Sequence, residues 1–272
     1  MNTSFVTRFA PSPNGYLHLG HAFSALTAYA AAKDAGGLML LRIDDIDTSR
    51  ARSQYTGAIY EDLRWLGLHW PSPIRAQSNH LADYDAAAHE LRERGLLYPC
   101  FCTRKTLRLT ARGHYAGTCK ALSKSDIERR IAAGEKPAMR LNVQKAFAQV
   151  GQQALGYKEA GIYHPLRSED LDDAVLLRKD IGSSYLLSSV IDDAAQHITH
   201  VIRGADIQHM TSLQVLLQAL LNVPTPNYQH HRLISGDDQE KLSKSKGAPS
   251  LRDARAAGTS PKNIRTALGF QF

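Results

Sequence analysis

Cysteine is scarce in this chain of 272 residues: there are three, Cys100, Cys102 and Cys119, all within one short stretch. An odd count with no secretion leader argues against a disulfide framework and leaves a metal site as the better reading. Long apolar runs are lacking too. The most apolar helical stretch, Ala22 to Ala32, contains Ser24 and Thr27 and is far shorter than the roughly 18 residues a membrane span needs. The start, Met1-Asn2-Thr3, has neither a charged leader nor an apolar signal core, which predicts a cytoplasmic protein with no membrane partner. Internal repeats and low-complexity linkers are absent, and no stretch alternates aromatic and basic residues well enough to mark a nucleic-acid track.

What is present is a composition 43% hydrophobic, enough to bury one main core with a smaller insert. The formal charge of +7 favours anionic partners such as nucleotides or nucleic acid. Phe5 to Phe9 reads as a strand ended by Pro11-Ser-Pro-Asn-Gly15. Leu19 to Asp34 reads as an Ala-rich helix closed by Gly36 and Gly37, and Leu38 to Ile43 as a buried strand. Strand, Gly/Pro loop, helix and strand make a βαβ unit, so the fold class is α/β with a Rossmann-type parallel sheet and a ligand site at the carboxyl ends of its strands. Helices follow over 56–66 and 81–94. A capping box at Ser125 and Glu128 precedes another helix, Ala174 to Arg178 and Tyr185 to Ile191 read as strands, and Met210 to Leu221 as a helix. The divisions are 1–97 and 171–235 for the two halves of the main domain, 98–170 for the insert, and 236–272 for a loop and helical tail.

His18-Leu-Gly-His21 opens the first helix, placing two imidazoles on one helical face beside anion-binding N–H groups. The spacing alone is common, and His197 and His200 repeat it without supporting context. Lys241-Leu-Ser-Lys244-Ser245 lies between Gly236 and Gly247, and such a loop can clamp a triphosphate. Its core recurs in Leu122-Ser-Lys-Ser125, which reads as a helix cap.

The combination is more specific than its parts: Arg8-Phe-Ala-Pro-Ser-Pro13, Leu17-His-Leu-Gly-His21, Leu41-Arg-Ile-Asp-Asp-Ile-Asp47, Val201-Ile-Arg-Gly-Ala-Asp206 and Lys241-Leu-Ser-Lys-Ser245 in that order. At these residues the chain resembles the class I glutamyl-tRNA synthetases over nearly its whole length. It ends soon after Ser245, where those enzymes continue into an anticodon-binding region, and so is most similar to the glutamyl-queuosine tRNA(Asp) synthetases, which lack that domain.

That resemblance implies ATP and Mg2+, L-glutamate and queuosine-bearing tRNA(Asp) as partners of a monomer. It makes His18, His21, Lys241 and Lys244 catalytic, with His18, Gly20, His21 and Lys244 on the nucleotide. It places Arg8, Phe9, Ala10, Pro11, Ser12, Asp44, Tyr185 and Arg203 around the amino acid. Asp44 departs from the family, which usually carries Glu there. The bland reading of Arg203 is an ion pair with Asp206. For the insert, Cys100, Cys102 and Cys119 supply thiolates for one structural zinc ion; ligand chemistry favours His114 as the fourth donor, whereas the resemblance aligns Tyr115 with a zinc-binding tyrosine.

Overall fold

The computed structural model describes residues 5–103, 105–109, 114–151, 155–234 and 249–272. Among these the elements run β1 (Val6–Phe9), α1 (Leu19–Asp34), β2 (Leu38–Ile43), α2 (Ser53–Trp65), β3 (Arg75–Ala76), α3 (Leu81–Glu93), β4 (Leu97–Cys100), α4 (Lys124–Ala132), β5 (Ala138–Leu141) and α5 (Val143–Val150). They continue with β6 (Gly156–Glu159), β7 (Ile162–Pro165), β8 (Val175–Leu177), α6 (Tyr185–Ala195), β9 (His200–Gly204), α7 (Thr211–Leu220), β10 (Asn227–His231), α8 (Leu251–Ala256) and α9 (Pro261–Ala267).

Parallel pairing joins β1 to β2 and β2 to β3, and separately β9 to β10 and β10 to β6; β7 closes the second group as an antiparallel edge. The groups meet where Thr199, just before β9, donates its N–H to the Val6 carbonyl at 2.9 Å while Val6 N–H reaches the Thr199 hydroxyl at 2.8 Å. From this seam the chain winds outward in opposite directions, toward β2 on one side and β10 on the other. That is a topological switch point, and the crevice beyond it lies at the carboxyl ends of β1 and β9, at Phe9 and Gly204. The turn into β2 needs glycine at position 37, because a Cβ there would sit 2.1 Å from the Phe5 carbonyl oxygen.

One core packs α1 against β1 and β2 through Leu17, Leu26, Leu41 and Ile43, and takes in Leu251, Ile264 and Leu268 from the last two helices. A second core joins α3, α5, α6 and α7 through Leu91, Ala146, Leu187 and Leu217. Burial of these side chains supplies about 1.5–3 kcal/mol each before chain entropy is counted.

Two expectations need correction. The segment from Tyr185 is a helix, α6, not a strand: Leu186, Leu187, Ser188, Ser189, Val190, Asp192 and Asp193 are all buried. A helix enclosed on nearly every side shows no polar face, and its apolar run then looks like a buried strand. The cap of α4 sits two residues earlier than expected and is a single N-cap, not a reciprocal box: the Ser123 hydroxyl accepts from Asp126 N–H at 3.1 Å and donates to the Asp126 carboxylate at 2.6 Å. Ser123 belongs to the Leu122–Ser125 copy, which therefore does cap a helix. The strand at Val175–Leu177 forms, but it pairs antiparallel with β5, in a small sheet completed by β4.

Candidate active site

Helix α1 begins in the crevice with a reciprocal imidazole box. His18 is the N-cap and its Nδ1 accepts from Gly20 N–H at 3.1 Å, while His21 Nδ1 accepts from His18 N–H at 3.1 Å. With both Nδ1 atoms accepting, a neutral ring carries its proton on Nε2, a donor suited to phosphate oxygen. The rings lie 3.8 Å apart between centroids. Position 20 tolerates little beyond glycine, since a Cβ there would come within 2.9 Å of His18 Cε1.

These histidines share one cleft of about 610 Å³ with Arg8, Phe9, Ala10, Pro11, Ser12, Asp44, Tyr185 and Arg203. Residues far apart in sequence thus converge at the switch point. Asp206, His231 and Arg232 line it as well, and sequence reasoning had assigned them no role there. Ile234 forms part of the wall, and Ser250 bridges to His18, so the described chain leaves and re-enters at this cleft. Lys241 and Lys244 lie outside the described residues.

The cations are held differently. Arg203, 5% exposed, donates through Nη2 to Thr211 Oγ1 at 2.7 Å, through Nη1 to the Tyr185 hydroxyl at 3.3 Å and through Nε to His230 Nε2 at 3.2 Å. These contacts take the place of the ion pair with Asp206 that the bland reading expected. Arg8 Nε instead meets Asp193 Oδ1 at 2.9 Å, and the same oxygen accepts from Arg42 Nη1 at 2.6 Å. Arg42 Nε also holds Asp44 Oδ1 at 2.8 Å. Burial pushes the Asp44 carboxyl up despite Arg42. For Asp193 burial also pushes upward, but Arg8 and Arg42 outweigh it and hold the carboxyl below its usual range. Behind this layer Asp192 accepts from Arg75 at 2.7 Å, Gln77 at 2.8 Å and Tyr84 at 2.8 Å.

In the insert, the sulfurs of Cys100, Cys102 and Cys119 lie within 4.8 Å of one another. The Tyr115 hydroxyl is 3.5 Å from both Cys100 Sγ and Cys102 Sγ, and it accepts from Cys119 N–H at 2.8 Å. His114 is not among the grouped donors. Burial raises the Cys100 thiol, yet hydrogen bonds from Tyr115 and Arg140 bring it down to about 7.

Residues 4–270 match the family of class I tRNA synthetases (E and Q), catalytic domain. The chain belongs to that family. It is 41% identical to a glutamyl-Q tRNA(Asp) synthetase of Rhodobacter capsulatus, covering 97% of this chain and 99% of the relative. Against glutamate–tRNA ligase 2 of Nitrosococcus oceani it is 37% identical over 99% of its own length and 60% of the relative's. Its fold superposes on a glutamate tRNA ligase from Elizabethkingia meningosepticum, solved with its amino acid, with TM-score 0.69 and 26% identity; 94% of this chain aligns, spanning about half, 53%, of that ligase. As a class I synthetase catalytic domain, the protein is of the ATP-dependent ligase type. No helix among the described residues is long and apolar enough to cross a membrane.

For this synthetase domain the donor chemistry of the insert fits a metal. Thiolates bound to one tetrahedral zinc at ~2.3 Å stand about 3.8 Å apart, and Cys102 and Cys119 already lie 3.6 Å apart. Cys100, Cys102, Cys119 and Tyr115 would hold the ion, which would brace an insert whose own core is small. Protein purified without chelators is expected to carry about one zinc per chain. Cys119→Ser should lose the metal and unfold at lower temperature, and metal-free wild-type protein of unchanged melting temperature would refute the site.

Proposed function

We propose that the protein activates L-glutamate with ATP and transfers it to queuosine in tRNA(Asp). The observation that carries this reading is the convergence, in one cleft, of a phosphate-binding helix start with a cationic and acidic set matched to an amino acid. A glutamate carboxylate oxygen attacks the α-phosphorus, the bond to the β-phosphate breaks, and pyrophosphate leaves; Mg2+ accompanies the phosphates. The acyl group then passes to the RNA and AMP is released. His18 and His21 Nε2–H groups bind phosphate oxygens whose charge grows as the bond breaks. Arg203 offers the side-chain carboxylate its cation, Arg8, already paired with Asp193, lines the wall beside it, and Asp44 faces the ammonium group. With Asp44 shorter than the glutamate usual in the family, Arg42 fixes one of its oxygens and leaves the carboxylate directed rather than swinging. Lys244, with Lys241, would support the triphosphate.

The test is glutamate-dependent exchange of labelled pyrophosphate into ATP with Mg2+ and no RNA. Exchange with glutamate but neither aspartate nor glutamine is expected, and His18→Ala should lower turnover about a hundredfold. A second reading, charging of a tRNA 3′ end, is favoured by the likeness to the Nitrosococcus oceani ligase. Transfer to tRNA(Asp) with queuosine but not without it would exclude that reading; transfer to both would support it.

A further inference from the structure

Arg203 is oriented by a route that spares its charge. The register pairs Arg203 of β9 with His230 of β10, and Glu159 sits on β6, the next strand. His230 Nδ1 lies 2.6 Å from Glu159 Oε1, which also accepts His230 N–H at 3.1 Å. Gln208 Nε2 donates to the other oxygen of Glu159 at 3.2 Å. On its far side His230 Nε2 receives Arg203 Nε at 3.2 Å and stands 3.2 Å from the Thr211 hydroxyl. The imidazole side chain is 2% exposed, and neither Glu159 nor His230 lines the cleft.

The donor and acceptor roles are fixed. A guanidinium can only donate, so His230 Nε2 must present its lone pair, and the proton must then sit on Nδ1, facing Glu159. A carboxylate placed directly on Arg203 would orient it but would also neutralise it, as Asp193 does for Arg8. A neutral imidazole fixes the plane of the guanidinium and leaves its positive charge for a ligand.

We propose that Glu159 and His230 are positioning residues that form a relay across three adjacent strands and set Arg203 for a substrate's side-chain carboxylate. This rests on the reading of the cleft as a glutamate site. Around His230 stand Glu159 on β6, Arg203 on β9, and His231 and Tyr228 on its own strand, while α7 brings the Thr211 hydroxyl. Protonation of Nε2 would set N–H against N–H and cation against cation, so acid should weaken glutamate binding. Burial outweighs the pull of Glu159 and keeps His230 titrating below its ordinary 6.5.

Two measurements decide it. In 15N-histidine spectra of the wild-type protein, with His230 assigned by its loss in His230→Gln, the Nδ1–H tautomer is expected at neutral pH; an Nε2–H tautomer overturns the relay without reference to activity. In pyrophosphate exchange, His230→Ala should raise the glutamate KM about tenfold or more, with kcat and the ATP KM within about twofold. His230→Gln, whose amide oxygen can accept from Arg203 but does not titrate, should restore the KM to within about threefold and abolish its rise at acid pH. An unchanged glutamate KM in His230→Ala, a uniform loss in all constants, or an acid rise that persists in His230→Gln each overturns the proposal. Wild-type protein that exchanges with no amino acid would sink the glutamate reading and the relay's purpose together, while an Nδ1–H tautomer would still show its geometry to be right.

Discussion

Replacing Arg203 by alanine is expected to raise the glutamate concentration for half-maximal adenylate formation by about a hundredfold or more, equivalent to ~3 kcal/mol. The size follows from what the side chain does. It is the buried cation of the cleft that the described residues hold through neutral partners, Thr211, Tyr185 and His230, so its charge is available to a carboxylate. Truncation removes that charge-assisted contact and leaves Thr211 and His230 with polar atoms that face a void. Lysine should rescue little, because a single ammonium cannot donate to three partners in one plane and still meet the substrate. Turnover at saturating glutamate should fall much less than kcat/KM, since the contact exists before the transition state as well as in it. Exchange kinetics at saturating ATP read this directly; a glutamate KM within about threefold of wild type would remove Arg203 from recognition.

How much of this cleft can be read from sequence depends on how local its parts are. The βαβ opening is local: Pro11 to Gly15, the His18–His21 pair and the Gly36–Gly37 stop lie within one supersecondary unit, and the structure places the elements within a residue of expectation. Tyr185 and Arg203 were reachable through family likeness, although the helix bearing Tyr185 reads as a strand because burial on nearly every side erases its period. The charge network behind the cleft was not read at all. A signal existed: Arg42 stands in the apolar run Leu38–Ile43 and Asp192–Asp193 close another, and charges in such runs are rarely buried without partners. Pairing them was beyond sequence, because Arg42 and Asp193 are 151 positions apart. Glu159 was less legible still, since its role depends on which strand the β6–β7 hairpin joins, and β6 meets β10 through a single register pair.

Asp193 should show the largest effect on stability. Its Oδ1 serves both Arg8 and Arg42, whose side chains are 4% and 0% exposed, and Arg42 Nη2 already lacks a hydrogen-bond partner among the described residues. Asp193→Ala would leave the buried Arg8 guanidinium without its carboxylate and Arg42 with Asp44 as its remaining close one, and the expected cost is about 3–5 kcal/mol in urea unfolding. Surface pairs offer the contrast: Asp126 and Arg129 also form an ion pair, but both are solvated, and losing that pair in Asp126→Ala should barely change stability. The sign of the pH dependence separates charge from packing. The folded protein holds the Asp193 carboxyl below its unfolded value of 3.8, so its contribution is present above that value and lost as pH falls through the lower folded one. Asp193→Ala should therefore narrow its gap from wild type at strongly acid pH, whereas a lost packing contact would cost the same throughout. An equal deficit at pH 7 and at the acid end of the folded range would assign Asp193 to packing and leave Arg8 without its anchor in charge.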